Sequence, residues 1–109
     1  GTGMTVPGYK LMVGGGIIAE HLRLKLRNAS WPDYVFEPGY PLRSLDELSS
    51  FIAKYRHLPG VPSAASISRS GVDVSGMLVV LLEKTEELYK YILQLNDELV
   101  LLRSRLKIK

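Results

Sequence analysis

The 109-residue chain contains no cysteine and only two histidines, His21 and His57. The absence of cysteine excludes disulfide bonds and thiolate metal sites. Since no second histidine or carboxylate cluster accompanies either histidine, we expect no zinc site within one chain and no cofactor. One alternative stays open, in which a threefold assembly brings three copies of one histidine together on its axis.

Long apolar runs and strong charge are also missing. No apolar run approaches the length of a membrane span, so we expect no membrane insertion. The net charge of +3 is small and the basic residues are scattered, so nucleic-acid binding is not expected. No signal peptide is recognisable, and we expect the Gly-Thr-Gly start to be the edge of a longer chain.

The sequence motifs of common enzymes are absent. Serine is abundant, but there is no Gly-x-Ser-x-Gly motif and no histidine–acid pair placed to activate a serine. The run Gly14-Gly15-Gly16 lacks the lysine and hydroxyl of a P-loop, and we interpret it as a turn. We therefore predict that the protein is not an enzyme acting on other molecules.

The dominant feature of the sequence is a seven-residue repeat in its last third. Mostly leucine side chains recur alternately three and four residues apart, the spacing of a coiled-coil helix. We call these nine positions the seam: Leu78, Thr85, Ile92, Leu99 and Leu106 at heptad position a, and Leu81, Leu88, Leu95 and Leu102 at position d. Four heptads rise roughly 42 Å, too long for a small domain to cover by itself. We expect another copy of the same helix to cover the seam.

Residues beside the seam favour parallel chains. Glu98 lies at position g and Arg103 at the following e, where parallel chains form an interchain ion pair. Such an exposed pair contributes only about 0.2–1 kcal/mol, so it bears on register more than on stability. Tyr89 at e and Tyr91 at g widen the seam and favour more than two strands, although leucine at both a and d does not fix the number. The alternative is one amphipathic helix packed on its own domain.

Residues 1–30 show a period of two. Every second residue is apolar in two runs, 9–13 and 22–27, which lie on either side of the three glycines. This alternation predicts two half-buried strands with one charged face. Such strands do not enclose a core by themselves, and three copies around an axis would supply a partner sheet.

Residues 31–43 are rich in aromatic residues and proline. The pattern predicts turns at 32–33 and 38–39, with a short strand over 34–36 between them. Asp33 is expected to cap a turn. We expect the aromatic side chains to form the core of a small middle domain rather than to line a ligand groove: Trp31, Tyr34, Phe36 and Tyr40.

Helix signals follow this segment. Ser44 and Glu47 have the spacing of a capping box at a helix start, and the following Leu-Pro-Gly run should stop that helix. We expect His57 to cap the carbonyls at its end. A short helical turn over 63–68 and a long helix with its N-cap at Asp73 or Ser75 complete the prediction.

Several stretches of the sequence resemble a known protein family. The start, GTGMTVPGYKLMVGGGIIAE, resembles a pattern common near the ends of phage tail-fibre and bacterial surface-fibre proteins. The stretches WPDYVFEPGYPLRSLDELSSFIAKYRHLPGVPSA and GVDVSGMLVVLLEKTEELYKYI are similar to a C-terminal tail-fibre domain, so the resemblance covers nearly the whole chain. Its specific parts are two strings: Trp31-Pro32-Asp33-Tyr34-Val35-Phe36 and His57-Leu58-Pro59-Gly60-x-Pro62-Ser63-Ala64.

More distantly, the chain resembles the intramolecular chaperone domain that ends endosialidases and related fibres. The resemblance implies a trimer that finishes in a long helix, directs trimer folding and cleaves itself off at a serine. This chain lacks the Ser-Asp-x-Arg-x-Lys type of cleavage motif, and its nearest string is Ser30-Trp31-Pro32-Asp33. The run usual after Gly-x-Asp in the tail-fibre domain is Leu-Gly-Glu-Met, whereas Val74-Ser75-Gly76-Met77 lacks the glutamate.

Residues and resemblance together predict an α+β homotrimer. We expect a β-strand fibre-shaft segment at 1–30, a small α+β middle domain with one helix at 31–73, and a parallel trimeric coiled coil at 74–109. The implied function is a structural, chaperone-like trimerisation domain of a host-attachment fibre, on a virion tail or a cell surface. The alternatives are a fibre tip whose loops near Tyr40 or Pro59–Pro62 bind a cell-surface receptor or glycan, a self-cleaving chaperone, and an intracellular coiled-coil adaptor.

Overall fold

A computed structural model describes residues 6–27 and 30–107 of the chain. Its elements, in chain order, are one 3-10 turn at Tyr34–Phe36 and three α-helices: α1 Leu45–Tyr55, α2 Ala64–Ser70 and α3 Val74–Lys107. Over these described ranges all regular structure is helical, with no strand and no sheet. The prediction of an α+β fold is therefore wrong.

The two strands predicted in the N-terminal segment do not form in residues 6–27, which are irregular. All these residues are exposed except Met12 and Leu26, which are half-buried. Alternation decides which face of a strand would be apolar, but a strand also needs a neighbour that completes its backbone hydrogen bonds. The described chain supplies no such neighbour. The remaining part of the predicted shaft segment, residues 1–5 and 28–29, lies outside the described residues.

The third predicted strand, over 34–36, is instead the 3-10 turn. The amide of Phe36 donates to the carbonyl of Asp33 at 3.0 Å, and the amide of Glu37 donates to that of Tyr34 at 3.1 Å. The turn buries Val35 completely, and the Lys90 ammonium of α3 donates to the Val35 carbonyl at 3.0 Å. Contact with α3 thus overrides the strand propensity of the Tyr-Val-Phe sequence.

The predicted helix signals are confirmed for α1 and α2. The Ser44 hydroxyl accepts from the Glu47 amide at 3.1 Å, so it caps α1. The predicted end of α1 is also confirmed, because the left-handed Arg56 (φ 60°) donates its amide to the Ile52 carbonyl at 2.8 Å. The Ser63 hydroxyl caps α2 in the same way, accepting from the Ser66 amide at 3.2 Å.

His57 does not cap the carbonyls that end α1, so that prediction is wrong. Its Nδ1 lies 2.9 Å from the carbonyl oxygen of Leu58, outside the helix. Its ring packs edge-on against Phe51, with 5.7 Å between the ring centroids. Because the left-handed Arg56 turns the chain away at this point, the imidazole lies against the aromatic side chains of α1.

The long helix determines the shape of the molecule. Its 34 residues rise about 51 Å, and the molecule extends 76 Å in its longest direction. The first half of α3 packs against the 3-10 turn, whereas every residue from Ile92 to Lys107 is exposed. None of the helices in the described ranges is long and apolar enough to cross a bilayer.

The core of the single chain is small. Across residues 6–27 and 30–107, few side chains are buried: Pro32, Val35, Pro59, Glu86 and Tyr91. Apolar burial is the main favourable contribution to folding, and it must offset a conformational entropy cost of about 1–2 kcal/mol per ordered residue. A core of this size therefore leaves the isolated chain with little stability.

Candidate functional site

The seam runs along one side of α3 and is open to solvent in the single chain. All nine of its residues are exposed, and its leucines and isoleucine keep between 47% and 69% of their surface. Fully burying one such side chain contributes roughly 1.5–3 kcal/mol. A contiguous apolar surface of this length on a protein marks an interaction site.

Thr85 is the polar residue of the seam, and its hydroxyl is already satisfied within the helix. The Oγ1 atom donates to the carbonyl oxygen of Leu81 at 2.8 Å. A buried hydroxyl without a partner would cost about 1–3 kcal/mol. Because this hydroxyl has an acceptor in its own helix, Thr85 can enter an interface without that cost.

Glu98 and Arg103 lie on the distal half of α3 and are both exposed. Among the described residues neither forms an ion pair within its own chain; the salt bridges found there both involve Lys84. Both side chains are therefore available for the predicted interchain pair. The structure does not bring them into contact with each other, since they are five residues apart on one helix.

A second face of α3 is polar and packs against the chain's own residues 31–43. We call this the polar face, and it consists of heptad positions b, c, f and g in the proximal half of the helix: Glu83, Lys84, Glu86, Glu87, Lys90 and Tyr91. Heptad patterns ordinarily leave b, c and f to solvent. Sequence reasoning therefore missed this face.

Two tyrosines attach the middle segment to the polar face. The Tyr34 hydroxyl donates to the Glu83 carboxylate, and the Tyr40 hydroxyl donates to that of Glu87. The hydrogen bond to Glu83, with partial burial, raises the pKa of Tyr34 to about 12. Burial and the hydrogen bond to Glu87 raise the pKa of Tyr40 well above its ordinary value. Both phenols therefore stay protonated and keep donating at neutral pH.

The carboxylates that accept from these tyrosines also hold Lys84. Its ammonium lies 3.1 Å from Glu87 and 3.4 Å from Glu83, and the lysine side chain is only 16% exposed. Two carboxylates and one ammonium give this group a net charge of −1. Its excess of acceptors means that a further ligand would have to donate hydrogen bonds rather than accept them.

Tyr91, at position g beside the seam, turns its side chain to the polar face. Its hydroxyl donates to the carbonyl of Arg43 at 2.7 Å, and its ring is buried. Burial raises the pKa of this phenol. Tyr89, in contrast, is 60% exposed on the other edge of the seam. Both tyrosines were predicted to widen the seam, but in the single chain Tyr91 is buried against the body and only Tyr89 is exposed.

Glu86 is the one buried acid of the polar face. Only 7% of its surface is exposed, and its Oε1 atom has no hydrogen-bond partner. Burial raises the pKa of this carboxyl, and the neighbouring carboxylate of Asp33 raises it further. No signal in the sequence predicted this position, because a glutamate at heptad b is ordinarily solvated.

The residues of the first motif string are divided between the interior and the surface. Pro32 and Val35 are buried and Tyr34 is half-buried, whereas Trp31 and Phe36 are more than half exposed. The structure thus does not place Trp31 and Phe36 in the core of the single chain. The Asp33 side chain forms no cap, and its backbone carbonyl accepts the bond that closes the 3-10 turn.

The second motif string forms one wall of a cleft of about 310 Å³ between the body and α3. Pro59 is buried there, and Gly60 (φ 75°) approaches so closely that an added Cβ would lie 3.7 Å from the Lys84 ammonium. Pro62 does not line this cleft, and His57 lies outside it. The full lining is Tyr40, Pro41, Arg43, Leu48, Leu58, Pro59, Gly60, Glu83, Lys84, Glu87, Leu88 and Tyr91.

The cleft borders the seam. Within residues 6–27 and 30–107 no group of three or more histidines or carboxylates is arranged to hold a metal ion. Leu88 belongs both to the cleft wall and to the seam, so the cleft opens at the edge of the seam. A ligand or partner covering the seam would reach it.

Comparisons with models of protein families, with curated proteins and with solved structures find no match to this chain. The resemblance to fibre proteins therefore remains a prediction from the sequence. The features of the site have to be interpreted on their own chemistry.

Proposed function

We propose that this chain is a homo-oligomerisation domain, of the structural and chaperone-like kind that ends fibre proteins, in which three copies pack their seams together. The observation that carries the proposal is the exposure of all nine seam residues in the single chain. Burial of the seam by parallel copies supplies the apolar contacts that each small body lacks. The partner is a second and third copy of the same chain, on a virion tail fibre or a cell surface.

The direction of the chains follows from charge. In a parallel arrangement Glu98 of one copy faces Arg103 of its neighbour, and each acid meets a base. The distal half of α3 extends beyond the body, so copies can approach it without a clash from their own bodies. The proposed mechanism is entropic: once α3 is paired, the remaining segments of the three chains are held at high local concentration, and each later contact closes a shorter loop.

The experiment compares two matched double variants. Leu95→Asp with Leu102→Asp places two charges at d positions of the seam, in the part of α3 that contacts nothing else in its own chain. Leu93→Asp with Val100→Asp places two charges at the same seven-residue spacing, at b positions that are also exposed. Sedimentation or light scattering measures the mass of each protein at several concentrations.

We expect the seam variant to be a monomer and the control variant to keep the mass of the unchanged protein. A buried, unpaired carboxylate costs several kcal/mol in an apolar seam, whereas one at a solvated b position costs little. A seam variant that stays oligomeric would contradict the proposal. If both variants lost their oligomeric mass equally, the seam would not be the interface between copies.

A further inference from the structure

The cleft beside Lys84 has no function in the proposal so far, and its position suggests one. Three of its lining residues lie at or beside the seam: Leu88 at position d, and Lys84 and Tyr91 at position g. The cleft therefore opens on the g edge of α3. Resting on the proposed parallel assembly, we infer that the neighbouring copy fills this cleft with the side chain of its Tyr89.

The register of a parallel coiled coil selects that residue. A side chain at g faces the e position five residues further along the neighbouring helix. Glu98 and Arg103 follow this rule, and the same rule places Tyr89 of the neighbour opposite Lys84. Tyr89 is also 60% exposed on its own chain, so its ring is available to a partner.

The chemistry of the cleft suits a phenol. Lys84 is held in place by Glu83 and Glu87, so its ammonium is positioned to lie against an aromatic face. The two carboxylates provide more acceptors than the local donors use, and a tyrosine hydroxyl can donate to them. The charged residues of the cleft lining are two bases, Arg43 and Lys84, and two acids, Glu83 and Glu87, so a neutral phenol leaves their balance unchanged.

The size of the cleft fits the same occupant. A volume of about 310 Å³ is at the lower end of the range for small-molecule pockets, roughly 300–1,000 Å³. One aromatic ring from a helix already fixed against the seam could enter a cleft of this size and would occupy part of it. The cleft is then a composite site, complete only when a second copy contributes Tyr89.

The first test uses the absence of cysteine in the chain. Chains carrying Lys84→Cys are mixed and refolded with chains carrying Tyr89→Cys, then treated with a short bismaleimide. Because the two cysteines are on different chains, every cross-link between them is intermolecular. A mixture of Glu98→Cys and Arg103→Cys chains is the matched control for parallel register. Each single variant treated alone gives the background, and light scattering gives the mass of every mixture.

We expect cross-linked dimers well above background in both mixtures. Oligomers that cross-link through positions 98 and 103 but not through 84 and 89 would overturn the Tyr89 inference and leave the proposed assembly standing. Oligomers with no cross-link in either mixture would overturn the parallel register on which the inference depends. Monomeric protein by light scattering would overturn the proposed function itself.

The second test measures dissociation on dilution and needs no cysteine. We expect Tyr89→Ala to raise the concentration of half-dissociation about tenfold, the effect of losing one partly desolvated ring from an interface. Tyr9→Ala removes an equally exposed tyrosine outside α3 and should leave that concentration unchanged. Equal values for the two variants would mean that the cleft has another occupant, such as a glycan, and would overturn the inference.

Discussion

The seam and the polar face lie on the same helix, and their orientations toward core and solvent are the reverse of those usual in a globular protein. An amphipathic helix of a globular protein ordinarily turns its apolar stripe to its own core and its charged residues to water. In α3 the carboxylates of Glu83 and Glu87 hold the body through Tyr34 and Tyr40, while the apolar stripe faces solvent. The proposed assembly accounts for this difference, because it would bury the apolar stripe against other copies of the chain.

The two faces also differ in what they contribute to stability. A typical intramolecular hydrogen bond contributes a net 0.5–1.5 kcal/mol or so, because water satisfies the same groups in the unfolded chain. The polar face therefore positions the middle segment more than it stabilises it. The seam leaves eight large apolar side chains exposed in the single chain, and the proposed assembly would bury them.

The largest expected effect separates the two halves of α3. In the Leu95→Asp, Leu102→Asp variant we expect residues 92–107 to lose helical structure, since isolated helices of about 12–15 residues are marginal in water. Residues 83–91 should keep theirs, because the body packs on them. Amide hydrogen exchange measures both regions. Unchanged protection of residues 92–107 in a monomeric variant would show that the distal helix is stable without a partner.

The next effect concerns the polar face. Tyr34→Phe removes the hydrogen bond to Glu83, and we expect the free energy of unfolding to fall by about 1 kcal/mol, allowing for the partial exposure of both groups. Urea denaturation at one fixed protein concentration measures it, since assembly makes stability depend on concentration. Tyr9→Phe, at an exposed tyrosine of the N-terminal segment, is the control. If Tyr34→Phe lowered the free energy of unfolding no more than Tyr9→Phe does, the hydrogen bond from Tyr34 to Glu83 would not stabilise the fold.

The same tyrosine gives a dependence on alkaline pH. The pKa of Tyr34 is raised from 10.0 to about 12 in the folded state, so the folded protein binds more protons between these values. Its contribution to stability is present below pH 10 and is lost as the pH rises toward 12. In the Tyr34→Phe variant we expect a shallower loss of stability over that range. Parallel curves for the two proteins would contradict the assigned pKa shift.

A smaller effect is expected at Glu86, where burial of the carboxyl rather than a hydrogen bond is the main cause of the raised pKa. The folded-state pKa of this acid is raised above its ordinary value of 4.5, so the folded state binds more protons just above that pH. Stability should therefore fall as the pH rises from about 4.5, and Glu86→Gln should remove that part of the dependence. Denaturation midpoints from pH 4 to pH 8 measure it. The neighbouring Asp33 and Glu83, whose carboxylates raise the pKa of Glu86 further, are unchanged in the comparison.

The smallest effect is at the end of α1. Arg56 has a left-handed backbone (φ 60°), which glycine adopts at lower cost. We expect Arg56→Gly to raise the free energy of unfolding by about 0.5 kcal/mol, since relief of strain is partly offset by the greater freedom of glycine when unfolded. Thermal denaturation measures it. A decrease would mean that the arginine side chain makes a contact worth more than the strain.

Local signals in the sequence predicted the helices but not what packs on them. The cap at Ser44 was predicted because a hydroxyl and an amide three residues apart settle the geometry between themselves. The strands predicted over 9–13 and 22–27 do not form, since a strand depends on a neighbour that the alternation of its own residues does not specify. The polar face was missed for a related reason: at heptad positions b, c and f, charge indicates solvent until a tyrosine from elsewhere in the chain is known to contact it.

The mass of the protein in solution tests the central claim most directly. Multi-angle light scattering across a range of concentrations should give three times the chain mass of 12.1 kDa, because the seam of each copy is covered by the others. A mass of 12.1 kDa at every concentration, with the seam in water, would contradict it.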